Sequence, residues 1–225
     1  MTRIDWGSII DMRLAMDSLP YILGGLGHTL WISLVSMGMG LLIGLPLAIG
    51  RRSRFIMPRL VSRMYISFMR GVPILVLLFM LYYGFPIIGI EFDALTAAIL
   101  GFGLSSAAFI AEIIRAAIGS IDRGQNEAAL SLGLSRSRIL FGIIVPQASR
   151  VAIPPLSNVL LDLVKASSLA AMITVPEIFQ RAKIIGGREF DYMTVYIVVA
   201  CVYWGICVFI SAIQDFLERR FSRYL

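Results

Sequence analysis

Asp162 and Lys165 stand three residues apart in a stretch, 151 to 176, that is otherwise uncharged. On a helix that spacing puts both on one face. There, opposite charges either neutralise each other or grip the ammonium and carboxylate of an amino acid. Asn158 and Ser168 lie in the same stretch and join the pair as candidates for a substrate path. Arg70 is another candidate, because Gly71 and Pro73 follow it inside an apolar run. A proline there removes a helical hydrogen bond and frees backbone groups, and broken helices that line a cavity are common substrate sites. Arg70 therefore either meets a substrate carboxylate or anchors the break. Glu112 and Arg115 form a second pair three apart, for which mutual pairing is the expected role.

Other chemistries lack their residues. The lysines are Lys165 and Lys183, and neither follows a GxxxxGK[ST] phosphate loop. ATP, if used, must be bound by a partner, with its magnesium. His28 is the only histidine, so paired-histidine zinc motifs are excluded and no metal site is expected. It suits an interfacial polar position. Cys201 and Cys207 sit six apart in one apolar run and read as small apolar filler. No nucleophile with an adjacent base is legible, so the chain is expected not to be an enzyme. The pairs Gly38 with Gly40 and Gly101 with Gly103 lack the third glycine of a dinucleotide fingerprint and read as sites of close helix packing.

The elements that must carry these residues follow from composition. The 225 residues are 58% hydrophobic and 15% charged, against about 25% charged in a typical soluble domain. Uncharged runs extend over 18–50, 71–90, 94–111 and 192–214. A span needs about 20 apolar residues. With the stretch from 151, five crossings result, at about 20–50, 60–84, 93–118, 151–175 and 192–217, in a single membrane domain over 1–225. A charge near the midplane costs at least about 2.5 to 3.5 kcal/mol on insertion scales, so Asp162 and Lys165 need a partner or a watery cavity.

The net charge of +6 is read as a signal of orientation rather than of nucleic-acid binding. Arg51, Arg52, Arg54, Arg59 and Arg63 fill the first loop, Arg123, Arg136, Arg138 and Arg150 the third, and Arg219, Arg220 and Arg223 the tail. Arg3, Arg13, Arg181, Lys183 and Arg188 face the other side. This places the N-terminus outside and the C-terminus in the cytoplasm. The stretch before Ser18, with Asp5, Asp11, Arg13 and Asp17, is unlike a signal peptide, so the first span is expected to be retained.

The loop at 119–150 is too long for a tight connection and amphipathic enough for short helices. Glu127, Ala128 and Ala129 are followed by Gly133, then by Ile143, Val145 and Pro146. Small alanines let a short helix press on a protein surface, Gly133 supplies a turn and Ser135 caps the next helix. The spacing resembles the EAA-x3-G-x9-I-x-LP signature of ABC importer permeases, with Val145 where leucine is usual. Residues 65–84, 107–122 and the segment from Pro154 resemble the polar amino-acid branch of that family, so the likeness covers nearly the whole chain after about residue 20. It is nearest in look to the cystine-type permeases, while histidine, arginine and glutamine types share the motifs.

The resemblance implies an all-α membrane protein of five transmembrane helices with the type I ABC importer permease fold. Residues 124–134 would be a cytoplasmic coupling helix whose Glu127, Ala128, Ala129 and Gly133 dock on the ATPase. It also implies two ABC ATPase subunits, a second permease copy or paralogue, a periplasmic or lipid-anchored amino-acid-binding protein, and a polar amino acid, cystine included, as substrate in the bacterial cytoplasmic membrane. The alternative is a stand-alone secondary transporter, although no inverted repeat is detectable. One departure bears on substrate: the family lysine is usually followed by an acid, and here Ala166 follows Lys165 while the acid is Asp162.

Overall fold

The computed structural model describes residues 10–222, with side chains through residue 216. Arg3, Asp5 and Arg223, and the side chains of Arg219 and Arg220, lie outside the described residues. Helices make up the described chain, and no strand occurs among the described residues. In order they are α1 (Met12–Leu23), α2 (Leu26–Arg52), α3 (Ile56–Gly71), α4 (Ile74–Phe79), α5 (Ala94–Gly119), α6 (Arg123–Ser131), α7 (Arg136–Ile139), α8 (Val145–Ala166), α9 (Ile178–Glu189) and α10 (Tyr192–Ser222). Wider π turns follow α4 and α7, at Met80–Gly84 and Leu140–Ile144. A tight 3-10 segment, Ser167–Ile173, follows α8.

Four segments are long and apolar enough to cross a bilayer: Leu26–Arg52, Ala94–Gly119, Arg136–Ile173 and Tyr192–Phe216. A fifth span arises if Ile56–Gly71 and Ile74–Ile88 count as one, with a bend of 100° between them. The bend has a local cause. Val72 precedes Pro73, whose ring pushes the preceding residue out of the helical region, and Val72 is extended at φ −90° and ψ 128°. The helix of the first expected span starts at Leu26, because Gly24 and Gly25 separate α1 from α2. Helix reaches back from the fourth expected span to Arg136, through the π turn into α8. α9 lies in a stretch where composition suggests no element.

Two compact units emerge. The first comprises, among the described residues, 10–35, Ile74–Phe102 and Leu161–Ser211. Its core is built by Ile22, Ile178, Ala182, Ile185, Val195 and Val199, where α1, α9 and α10 meet. Gly25 lies against the backbone of Glu177 and Ile178, and Gly101 lies under Leu78. The second unit comprises Ser36–Pro73, Gly103–Leu160 and, among the described residues, 212–222. Ala48, Ile66, Ala108 and Ala111 form one core there, and Ala117, Ala148 and Ala152 another. Gly40 faces Ser106 and Ile110, and Gly103 faces the Met39 sulfur. Close packing thus holds for three of the four paired glycines. A side chain at Gly38 would meet nothing within 4 Å among the described residues.

Candidate functional site

In the first unit, α8 ends on a charged pair. Lys165 Nζ lies 2.8 Å from Asp162 Oδ1. Both side chains stay open, at 59% and 73% exposure, so the pair is presented outward rather than buried as a packing element. The Ser168 hydroxyl donates to the Lys165 carbonyl at 2.8 Å, closing the first turn of the 3-10 segment. That segment ends at Thr174, a non-glycine residue with φ +70°. The Tyr82 hydroxyl lies 3.4 Å from the Thr174 hydroxyl, and Tyr83 donates to the Met172 carbonyl at 3.3 Å. The aromatic π turn after α4 is therefore fastened to the 3-10 segment that follows Lys165. Asn158 lies one turn before Asp162 on α8, and it too is exposed. The structure joins Asp162, Lys165 and Ser168 directly.

Arg70, in the second unit, closes the last turn of α3 before the break. Its guanidinium lies over the Phe109 ring, 5.6 Å from the centroid, and the residue is exposed. The cation thus leans on an aromatic face of α5 while keeping its donors available. Glu112 and Arg115 pair as expected, with Arg115 Nη2 and Nε donating to Glu112 Oε2 at 3.0 and 3.2 Å. Spacing could not show the third member. Arg51, from the end of α2, brings Nη1 to 2.8 Å from Glu112 Oε1. That contact is close without an aligned N–H, so it is an ion pair rather than a directed hydrogen bond. One carboxylate thus holds two cations and ties α2 to α5.

The loop after α5 forms the two short helices that its residues call for. Asp122 caps α6 by accepting from the Gly124 N–H at 2.6 Å. At the far end the Gly133 N–H donates to the Leu130 carbonyl at 2.9 Å and the Leu134 N–H to the Ala129 carbonyl at 3.2 Å. This paired closure requires a left-handed residue, and glycine takes it without strain: Gly133 has φ +73°. The Ser135 hydroxyl then accepts from the Arg138 N–H at 3.4 Å and starts α7. Ala129 faces inward, at 3% exposure, while Glu127 and Ala128 are exposed. Ala129 therefore holds α6 to its own unit and is not part of the free surface.

Glu177 carries no sequence signal beyond its type, yet it is a fully buried carboxylate. It accepts from the N–H groups of Phe179 and Gln180 at 2.8 and 2.7 Å and from the Tyr203 hydroxyl at 2.7 Å. Burial pushes its carboxyl above the ordinary range against those three donors. Its role is to begin α9 and to tie that helix to α10.

Comparison with known proteins places this arrangement among relatives. The family described as "Binding-protein-dependent transport system inner membrane component" matches residues 40–223. The chain is 59% identical to the probable amino-acid ABC transporter permease protein YckA of Bacillus subtilis (strain 168), over all of both chains. It is 39% identical to the L-cystine transport system permease protein TcyB of the same organism, over 97% of this chain and 94% of that one. A solved chain from the "Crystal structure of an amino acid ABC transporter with histidines" superposes with a TM-score of 0.89 at 33% identity, covering 94% of this chain and 99% of that chain.

Proposed function

This chain belongs to the family of inner membrane components of binding-protein-dependent transport systems, and we propose that within it the chain forms the translocation path for a polar amino acid. As such a component it is a non-catalytic permease subunit, and ATP hydrolysis belongs to a separate ATPase. An ATPase and a substrate-binding protein are its partners. Family membership sets aside the stand-alone secondary carrier. The finer reading is two ATPase subunits beneath a pair of permeases, identical or paralogous, fed by a periplasmic or lipid-anchored binding protein. The five spans act as one membrane domain, with the N-terminus outside and the C-terminus in the cytoplasm.

The observation that carries the substrate reading is the exposed Asp162–Lys165 pair. It offers a carboxylate and an ammonium 2.8 Å apart, complementary to the two charged groups that every free amino acid carries. Ser168 extends the candidate path within the same unit, and Arg70, with Phe109 behind it, and Asn158 are separate candidates on the second unit. On the other face of function, α6 docks on the ATPase through Glu127 and Ala128, with Gly133 ending the helix and Ala129 holding it to the permease. The likeness to an L-cystine permease makes cystine the first solute to assay.

The test is reconstitution with the separate ATPase and binding protein. ATP hydrolysis should appear only when the ATPase is present and should rise with loaded binding protein. Lys165→Gln and Asp162→Asn should each raise the substrate concentration for half-maximal stimulation, and the double change should do so as well. Rescue of the singles by the double would mean that the pair only neutralises itself. Unchanged transport in all three, at equal membrane abundance, would remove both residues from the path.

A further inference from the structure

A cavity of about 810 Å³ opens in the second unit behind α6. Its size is within the range of small-molecule sites, about 300 to 1,000 Å³. Arg52, Arg123 and Arg136 line it. None of the three has a carboxylate within ion-pair distance among the described residues, in contrast to neighbouring Arg51, which holds Glu112. Asp122 is the only carboxylate in the lining among the described residues. Its Oδ1 is already engaged by the Gly124 N–H. The lining therefore carries three cations against one carboxylate, and Ile118, Ile121 and Ile139 give it apolar surface as well.

Its position gives that mixture a meaning. Arg52 ends α2 and Gly119 ends α5, both apolar helices long enough to span a bilayer, and both residues line the cavity. The cavity is thus at the depth where hydrocarbon gives way to headgroups. A purely apolar ligand would leave three guanidinium groups unpaired. A small anion would leave the isoleucine wall wet. We infer that the cavity holds one anionic phospholipid of the surrounding leaflet, its phosphate against Arg52, Arg123 and Arg136 and the start of an acyl chain along the isoleucines. Arg123, Asn126 and Leu130, at spacings of three and four, put one face of α6 on this cavity. The lipid accordingly sits behind the helix proposed to dock on the ATPase and steadies it from the membrane side. Nothing in this requires the amino-acid reading, and loss of lipid binding would leave that reading standing.

The test uses the full chain with whatever subunits co-purify, stripped of lipid and titrated with phosphatidylglycerol, phosphatidylcholine or inorganic phosphate under native mass spectrometry. Phosphatidylglycerol adducts should exceed phosphatidylcholine adducts by on the order of tenfold. The triple change R52Q/R123Q/R136Q should erase that preference. Gly119→Phe should erase it too with every charge retained, because a side chain at Gly119 points toward the Arg52 guanidinium with only ordinary contact at its first carbon. Equal adducts of both lipids on the parent, adducts indifferent to both variants, or displacement of the lipid by inorganic phosphate would each overturn the inference. Should the triple variant fail to fold, phosphatidylglycerol carrying a photoreactive acyl chain decides on the parent itself. Crosslinks within 49–53 or 118–144 are expected, and crosslinks confined elsewhere refute the site.

Discussion

Gly133 separates two explanations of one loop. A Cβ there would meet nothing within 4 Å, so a larger side chain has room, and the constraint is the positive φ alone. A left-handed conformation costs an ordinary residue roughly 1 to 2 kcal/mol, less for asparagine. Gly133→Asn should therefore keep most transport, whereas Gly133→Val should disturb the end of α6 and lower ATPase stimulation at unchanged membrane abundance. Equal activity of the two variants in reconstituted vesicles would sink the turn as the reason for glycine. Glu177 yields a pH prediction. Its folded carboxyl holds its proton more tightly than the unfolded chain does, so the stability it confers is fully present below the ordinary carboxylate range. That stability is lost as pH rises through the raised value. Glu177→Gln should flatten this part of the profile of thermal unfolding against pH, and an unaltered profile would show that burial does not shift the group.

Among the elements, the seam between the start of α2 and the start of α9 is the tightest. A side chain at Gly25 would run into the backbone at Glu177 and Ile178, which cannot yield as a flexible side chain can. Gly25→Ala should therefore cost about 1 to 3 kcal/mol, as overpacking does. Gly27, two residues on and inside α2, faces open space. Gly27→Ala should be neutral or gain up to about 1 kcal/mol from helix propensity. Thermal inactivation of the solubilised protein measures both, and similar midpoints for the two variants would contradict the seam. Asp93 and Asp191 begin α5 and α10 and are held below the ordinary carboxylate range by hydrogen bonds from Thr96 and Thr194. Their caps weaken as pH falls, opposite in sign to Glu177.

For the whole molecule, orientation in the membrane is a matter of access. Glu91 and Ser135 are both exposed, in segments between the apolar helices. In a background lacking Cys201 and Cys207, a cysteine at Glu91 should react with an impermeant thiol reagent in intact cells, and one at Ser135 should react only after permeabilisation. Labelling in the reverse order would invert the proposed topology.

What was legible in the sequence is what depends on charge exclusion or on neighbours within a turn or two. Apolar runs announced the spans because a bilayer rejects charge. Pro73 announced the break, Gly133 and Ser135 the helix pair, and the spacing of Asp162 and Lys165 their contact, because each acts on its own local backbone or helix face. Contacts between residues far apart in the chain had no such signature. Arg51 joins Glu112 only because α2 and α5 pack side by side. α9 was illegible because Arg181, Lys183 and Arg188 interrupt its apolar positions, and only packing against α1 and α10 buries Ile178, Ala182 and Ile185. Whether Ala129 faced a partner or its own unit, and whether Glu177 met water or Tyr203, were decided by which surfaces came together in three dimensions, and spacing along a chain carries no record of that.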